Sequence, residues 1–309
     1  MAAAKLCLKA RPTGAQLADR LHPVDGGAPD GLELYLAAQD IASSEAMDGV
    51  VERIEAAGLP SGFALLIEGP VDSLDGGDFD VTRASEADVE VVRRLAQLTR
   101  RIGAVAVNIH LITPSPDLGR LTLDYRATLL ERSVPFIQSF VEVTRAAGAV
   151  PTIENMPPVL RMRRSDFSFT PIGMCAADLN WMSERVSGLR VLVDTSHAGL
   201  YLNARAGATG SHAWVEPLRT YIRQLPNDGS TVLEYVQAFG PYLDNAQISN
   251  ASGLLGEGLP YSEGEVDLDP VIAWLGEHTR HIVTETIEPN NDNARYMRDA
   301  LQRMRSVLA

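Results

Sequence analysis

Five segments of the chain end a short apolar run on a side chain that can bind a metal or move a proton. A single residue of this kind usually caps a helix or faces solvent, but five in succession indicate one shared site. The segments are 108–110 (NIH), 152–155 (TIEN), 193–197 (VDTSH), 246–250 (AQISN) and 284–285 (TE).

Four residues of these segments carry oxygen donors and are predicted metal ligands: Glu154, Asp194, Gln247 and Glu285. Three carboxylates and one amide suit a hard divalent cation such as Mn²⁺ or Mg²⁺ better than a thiolate-preferring ion, with Co²⁺ and Zn²⁺ as alternatives. Without a cation, crowded carboxylates would raise one another's pKa values. Taken singly, each Glu could instead form a salt bridge, and Gln247 could hydrogen-bond a neighbouring loop.

Glu154 and Glu285 are also the predicted catalytic pair. With a cation that stabilises an enediolate, two carboxylates can remove and return a proton next to a carbonyl. Asn108 and His110 are expected to contact substrate, although His110 could equally be a core histidine.

The elements that position these residues alternate along the whole chain. Strict alternation of strands and helices indicates parallel strands with helical crossovers, and eight such units predict a single (β/α)₈ TIM barrel over residues 1–309. A doubly wound open sheet is the alternative, but the chain lacks its glycine-rich turn. The predicted strands are 6–10, 31–36, 63–68, 104–110, 149–154, 189–194, 245–249 and 281–285, each followed by one helix. The clearest helix is 84–103, with Ser85 as N-cap and Gly103 as C-cap.

Composition excludes several classes of protein. The net charge of −13 argues against nucleic acid as a partner, because phosphate binding depends on clustered Lys and Arg. Two cysteines, Cys7 and Cys175, are too few for a disulfide framework and fit free thiols in a reducing cytoplasm. We find no signal peptide and no membrane span, so we expect a cytoplasmic protein.

The strand ends IEN, VDTSH, AQIS followed by GEG at 256–258, and VTE resemble the xylose isomerase-like TIM-barrel superfamily of sugar isomerases, epimerases and type 2 AP endonucleases. The resemblance implies isomerisation or epimerisation of a small polyol or sugar-like substrate. It also implies that Glu154, Asp194, Gln247 and Glu285 are the metal ligands and that His197 contacts substrate or metal. The position of Gln247 is usually His, although hydroxypyruvate isomerase-like members resemble this chain there. Barrels of this superfamily commonly pair, so a homodimer is possible.

Two departures from the family pattern bear on function. Asn250 stands where an Asp is common. Leu160 stands where many epimerases hold substrate with a Glu, so a free ketohexose bound in the usual way is not the expected substrate. The endonucleases need an Asp-x-His pair after the seventh strand, and segment 250–258 contains neither residue, which makes abasic-site cleavage unlikely.

Loops on the same rim hold further candidates. Arg161, in the loop 156–170, could clamp an anionic group or be a solvated turn residue, and Glu257 is expected to contact substrate. In the segment 198–229, predicted as a long loop, Gly207–Gly210 could hinge a lid with His212 and Trp214 over the substrate. Equally, these two aromatic residues could simply anchor the loop. Glu33 and Glu68 could contact sugar hydroxyls, or cap helices or pair with Lys9.

Three functions therefore stay open. The leading one is a metal-dependent sugar isomerase or epimerase. A dehydratase or lyase using the same metal site is the second. The third is a barrel that has lost catalysis and binds a partner, which Gln247, Asn250 and Leu160 keep open.

Overall fold

The computed structural model describes residues 3–22, 27–164 and 166–309, and in this part of the chain eight parallel strands close into a barrel. Residues 1–2, 23–26 and 165 lie outside the described part of the chain, and residue 165 belongs to the loop 156–170. Closure is direct, since β1 pairs with both its chain neighbour β2 and the last strand, β10. The barrel strands are β1 (Lys5–Ala10), β2 (Gly31–Tyr35), β3 (Ala64–Glu68), β4 (Ala106–His110), β5 (Val150–Glu154), β6 (Arg190–Asp194), β7 (Leu243–Ile248) and β10 (His281–Thr284).

All eight predicted strands are confirmed, with boundaries that differ by a few residues at most. Two further strands, β8 (Asn250–Ser252) and β9 (Gly256–Leu259), form an antiparallel hairpin outside the barrel. The sequence analysis did not predict this hairpin. It follows β7 directly and therefore places Glu257 above the strand ends.

Ten α-helices in the described chain surround the barrel, and the prediction of one helix after each strand is wrong in one connection. Between β6 and β7 the chain forms three helices, α6, α7 and α8, and the first starts immediately at Thr195 with Asp194 as its N-cap. Segment 198–229, predicted as a long loop, therefore contains most of α6 and all of α7. The helices are α1 (Gly14–Leu21), α2 (Ser44–Ala57), α3 (Glu86–Ile102), α4 (Leu123–Ala146), α5 (Ala176–Arg185), α6 (Thr195–Ala206), α7 (Val215–Ile222), α8 (Val232–Gln237), α9 (Asp269–His278) and α10 (Arg295–Leu308).

The predicted ends of α3 are confirmed. The Ser85 side chain accepts a hydrogen bond from the Asp88 amide, and the Asp88 carboxylate accepts one from the Ser85 amide. This capping box satisfies amides that the first helical turn leaves without partners. Gly103 ends the helix with a left-handed φ of 67°.

The barrel interior follows from the two-residue period of its strands. Side chains alternate between the inside of the barrel and the surrounding helices, so every second residue of a strand faces inward. In the middle of the barrel these residues are small or apolar, and space is tight: a Cβ at Gly31 would lie 2.8 Å from Sγ of Cys7 and 2.5 Å from the Ala64 carbonyl oxygen. This interior cluster contains Cys7, Ala64, Leu66, Ala106 and Val283.

A larger apolar layer packs the helices against the outside of the barrel. Both cysteines are buried and free, in agreement with the sequence. None of the helices in the described ranges combines the length and the apolar character needed to cross a bilayer.

Candidate active site at the mouth of the barrel

The carboxyl ends of the barrel strands, here called the mouth, carry the inward-facing polar residues. Two residues beyond the apolar interior layer, the next inward-facing positions of successive strands carry ionisable and amide side chains, which lie at about the same level of the barrel. A cavity of about 680 Å³ opens above them. Active sites of (β/α)₈ barrels lie at this face, so the fold puts the predicted residues where such a site is expected.

Five residues on one side of the mouth form what we call the Lys9 cluster: Lys9, Glu33, Glu68, Gln247 and Glu285. The Lys9 ammonium contacts the carboxylates of Glu68 and Glu285 and lies 3.9 Å from Oε2 of Glu33. The Gln247 amide nitrogen donates to Glu33 Oε2 at 2.6 Å and to Glu68 Oε2 at 2.7 Å. Gln247 thus bonds two strand-end carboxylates rather than a loop, and Glu33 and Glu68 pair with Lys9.

The charges of this cluster depend on one another. Burial opposes the ammonium of Lys9, but the carboxylates of Glu285, Glu68 and Glu33 outweigh it and raise the pKa of Lys9. Burial likewise opposes ionisation of Glu68, yet Lys9 and His110 lower its pKa to about 2. For Glu33 burial prevails over Lys9 and raises the pKa to about 8. The pKa values of two neighbouring carboxyl groups are therefore shifted in opposite directions.

Five residues on the other side form the His197 cluster: Glu154, Asn155, Asp194, His197 and Glu257. His197 stands in the first turn of α6, where its amide donates to Asp194 Oδ1 at 2.8 Å. Its Nδ1 lies 2.8 Å from the Asn155 carbonyl oxygen and 3.2 Å from Glu154 Oε1, and its Nε2 lies 3.0 Å from Glu257 Oε1. The imidazole thereby joins β5, α6 and the β8–β9 hairpin.

The carboxylates around His197 fix its charge. Burial opposes the imidazolium, but Asp194, Glu154 and Glu257 outweigh it and raise the pKa of His197 well above its ordinary value. Burial raises the pKa of Asp194 to about 6. Asn155, whose role the sequence analysis did not anticipate, fixes the backbone here: it accepts from the Asp194 amide at 2.7 Å and donates to the Asp194 carbonyl at 3.0 Å.

Asn108 and His110 connect the two clusters. Asn108 donates its side-chain amide to Glu154 Oε2 at 2.6 Å, and Thr152 holds its carbonyl oxygen at 3.2 Å. His110 Nε2 lies 3.4 Å from Glu68 Oε1 and 3.6 Å from Glu154 Oε2. The imidazole lines the cavity, so it belongs to the mouth rather than to the core beneath it.

The outer wall of the cavity is formed by paired charges and apolar side chains. Arg161 lines the cavity and pairs with Asp78 and Asp166, and Arg163 lies 3.0 Å from Glu257 Oε2. Leu160 also lines the cavity and presents an apolar surface there.

His212 and Trp214 lie away from this wall. Their rings stack at 5.2 Å with Phe167 against both, and neither is among the described residues lining the cavity. This arrangement fits the loop anchor, the second of the two predicted roles.

The described residues contain three groups whose ligand atoms converge within 4.8 Å: Glu154, Asp194 and His197; Glu68, His110 and Glu154; and Glu33, Glu68 and Glu285. Two of the four predicted metal ligands, Glu154 and Asp194, thus share a group, whereas Glu285 belongs to another. Buried oxygens without a hydrogen-bond partner occur at Gln247 Oε1 and Glu285 Oε2. Such acceptors, beside further carboxylates, fit a hard divalent cation.

Comparison with known proteins supports the fold. No family model matches the chain, and no curated protein matches its sequence. Among solved structures, a D-tagatose 3-epimerase-like protein superimposes with a TM-score of 0.66 at 15% identity, covering 98% of each chain. A xylose isomerase domain protein from Planctomyces limnophilus gives 0.62 at 12% identity, covering 99% of this chain and 96% of its own.

A third structure, the 3-keto-D-glucoside 4-epimerase of E. coli, gives a TM-score of 0.59 at 13% identity, covering 98% of this chain and 99% of its own. The resemblance to xylose isomerase-like TIM barrels is therefore confirmed at the level of the fold. Sugar isomerases and epimerases are prominent among these structural neighbours.

Proposed function

We propose that the chain is a divalent-metal-dependent isomerase or epimerase of a sugar or related hydroxycarbonyl compound. The observation that carries the proposal is the pair Glu154 and Glu285, two carboxylates that line one cavity from β5 and from the end of β10. In the ring of eight strands β6 and β7 separate these two, so the carboxyl groups approach a bound substrate from different sides. The sugar epimerases among the structural neighbours support the same chemistry.

In the proposed reaction one carboxylate removes the proton from the carbon next to the substrate carbonyl. The electron pair of the broken C–H bond forms the enediolate double bond, and the negative charge moves to the carbonyl oxygen. The other carboxyl group, in its protonated form, then gives a proton to carbon. For epimerisation the proton goes to the opposite face of the same carbon and the carbonyl is restored. For isomerisation it goes to the former carbonyl carbon, and the proton of the neighbouring hydroxyl moves to the former carbonyl oxygen, so that the carbonyl forms on the other carbon. Glu154 and Glu285 have these two roles.

The metal would be held by Glu154, Asp194, Gln247 and Glu285, with Mn²⁺ or Mg²⁺ preferred by these oxygen donors. When bound, it supplies a positive charge that lowers the energy of the negatively charged oxygen. The chain itself adds two features. Asn108 orients Glu154 through its 2.6 Å hydrogen bond, and the His197 imidazolium offers a second positive charge beside the same carboxylate.

The charges around the cavity favour a neutral substrate. Arg161 and Arg163 already pair with carboxylates, so neither guanidinium is held ready for a phosphate. Apolar contact with Leu160, Val159 and Ile287 suits the hydrophobic face of a sugar ring. We therefore propose His110, His197 and Glu257 as the polar contacts of a neutral ketose or keto-glycoside, with Arg161 at the rim. Asn108, predicted to contact substrate, acts instead through its hydrogen bond to Glu154.

The test is solvent exchange. The protein is incubated in deuterium oxide with Mn²⁺ and a panel of neutral ketoses and 3-keto-glycosides, and deuterium at the substrate carbons is measured by NMR. Deuterium next to the carbonyl, lost in Glu285→Gln, supports the proposal. Turnover of a substrate without exchange would contradict proton transfer, and loss of water from the substrate would favour the dehydratase.

A further inference from the structure

Among the described residues, Lys9 is the one lysine whose ammonium group lies among the carboxylates of the mouth. It precedes the last residue of β1 and shares the inward face with Cys7 two residues earlier. Its side chain is 10% exposed. The ammonium contacts Glu68 and Glu285 directly and Glu33 at 3.9 Å.

The three carboxylates around this ammonium are themselves arranged as a cation site. Oxygens of Glu33, Glu68 and Glu285 converge within 4.8 Å of one another, as the ligands of one metal ion would. An independent observation points the same way. Glu33 is 1% exposed, and its Oε1 has no hydrogen-bond partner although Oε2 is bonded to Gln247. The amide oxygen of Gln247, itself fully buried, is likewise without a partner.

We infer that the Lys9 ammonium fills a second cation position of the mouth, and that without it Glu33, Glu68 and Glu285 form a divalent metal site. The intact protein then takes one metal ion, at the proposed site of Glu154, Asp194, Gln247 and the Glu285 oxygen that Lys9 does not contact. The inference deepens the proposed function, because it divides the acidic mouth between a resident ammonium and an exchangeable metal ion.

The physical basis is the cost of unpaired buried charge. An ammonium and a divalent cation can both offset the negative charge of converging carboxylates. The ammonium of Lys9 is covalently attached to β1, whereas a metal ion must bind from solution. A metal ion can occupy the site only when Lys9 leaves, because the two cations would lie within contact distance of the same oxygens and repel each other. Removing the ammonium leaves carboxylates that a divalent ion is suited to bind.

The experiment is Mn²⁺ binding to the full chain by equilibrium dialysis, comparing wild type with Lys9→Met, a change of similar length without charge. Lys9→Met is expected to bind one Mn²⁺ more per chain than wild type. Lys9→Arg keeps the positive charge and is expected to match wild type. The double variant Lys9→Met/Glu33→Gln removes one proposed ligand and should lose the added ion.

Thermal unfolding shows whether Lys9→Met is folded, so that a change in Mn²⁺ binding is not caused by misfolding. Lys9→Met should melt lower than wild type in EDTA and should gain more than wild type when Mn²⁺ is added, since binding to the native state stabilises it. Equal Mn²⁺ stoichiometry in wild type and Lys9→Met, with both folded by circular dichroism, would overturn the inference.

The same data distinguish the inference from the proposed function. If wild type binds no Mn²⁺ and Lys9→Met binds one, the metal dependence proposed for the wild type fails, and the role of Lys9 stands. If both bind one, the proposed metal site stands, and the role of Lys9 fails.

Discussion

His197 at the mouth and His281 at the base of the barrel are both buried, and their surroundings shift their pKa values in opposite directions. His197 at the mouth faces Glu154, Asp194 and Glu257, and its pKa is raised. His281 is the first residue of β10, at the amino ends of the strands. There burial, together with the positive charges of Lys5 and Arg280, lowers its pKa to about 4.

This difference separates two uses of polar residues in one fold. At the base, the His281 imidazole lies 2.9 Å from Asn245 Oδ1, and Asp244 is flanked by Arg190 and Arg280. The buried carboxylate of Asp244 thus has two cationic partners. At the mouth, carboxylates gather more densely than their partners can offset. Such a surplus costs stability and is expected where charge is used for binding or catalysis.

The largest expected effect is on catalysis and belongs to the mouth. Glu154→Gln keeps the shape of the side chain but removes its proton-transfer capacity, so deuterium exchange should fall about 10²- to 10⁴-fold. The free energy of unfolding in urea should not fall correspondingly, because one of several crowded carboxylates is neutralised. Glu184→Gln, at an exposed position of α5, is the matched control. Full exchange activity in folded Glu154→Gln would refute the assignment.

The next effect is on stability and belongs to the base. The folded-state pKa of His281, about 4, lies below the ordinary value of about 6.5, so its contribution is present above pH 6.5 and is lost as the pH falls towards 4. The shift corresponds to about 3 kcal/mol at most. Urea unfolding between pH 7 and 4 should therefore show a shallower decline for His281→Gln than for wild type.

The control for this pH dependence is His278→Gln, at an exposed histidine of α9. Its decline should parallel that of wild type, because no burial cost is removed. Exchange activity of His281→Gln at pH 7 should be unchanged. A loss of activity there would show that the base is not purely structural.

A smaller effect on activity is expected from His197, which positions neighbouring groups. His197→Gln removes the imidazolium that joins Glu154 and Glu257, and exchange should fall about 10- to 100-fold, in the range found for residues that support metal ligands. Weaker Mn²⁺ binding should accompany it. His212→Gln changes a histidine stacked on Trp214 outside the cavity and should alter exchange less than twofold, whereas a comparable loss would restore the lid interpretation.

The sequence predicted most of the fold because its signals are local. Alternating elements, the Ser85 and Gly103 caps and apolar strands each depend on neighbouring residues. The start of α6 was missed because Asp194 was interpreted only as a strand end, although an Asp before Thr-Ser-His is also a helix N-cap. The hairpin β8–β9 was missed because its strands are only three and four residues long.

The site was predicted less completely, since its contacts join residues far apart in the chain. Strand ends identified Glu154, Asp194, Gln247 and Glu285, but not how they divide between two clusters. Lys9 was considered only as a partner of Glu33 and Glu68. Its contact with Glu285 exists because β1 closes the barrel against β10. The available signal was the two-residue period, which places Lys9 on the inward face with Cys7.

The smallest expected effect tests whether a position near the mouth is enough to make a polar residue functional. Ser85 caps α3 at the end of the barrel that carries the site, yet it bonds only the first turn of the helix and Asp88. Ser85→Ala should lower the free energy of unfolding by about 1 kcal/mol, because one helix amide loses its acceptor. Ser306→Ala, inside α10, should change it by less than about 0.5 kcal/mol. Exchange activity should match wild type in both, because neither hydroxyl reaches the cavity. A loss of activity in Ser85→Ala alone would mean that the α3 cap helps to shape the site. In that case a residue near the mouth could affect catalysis without contacting the cavity.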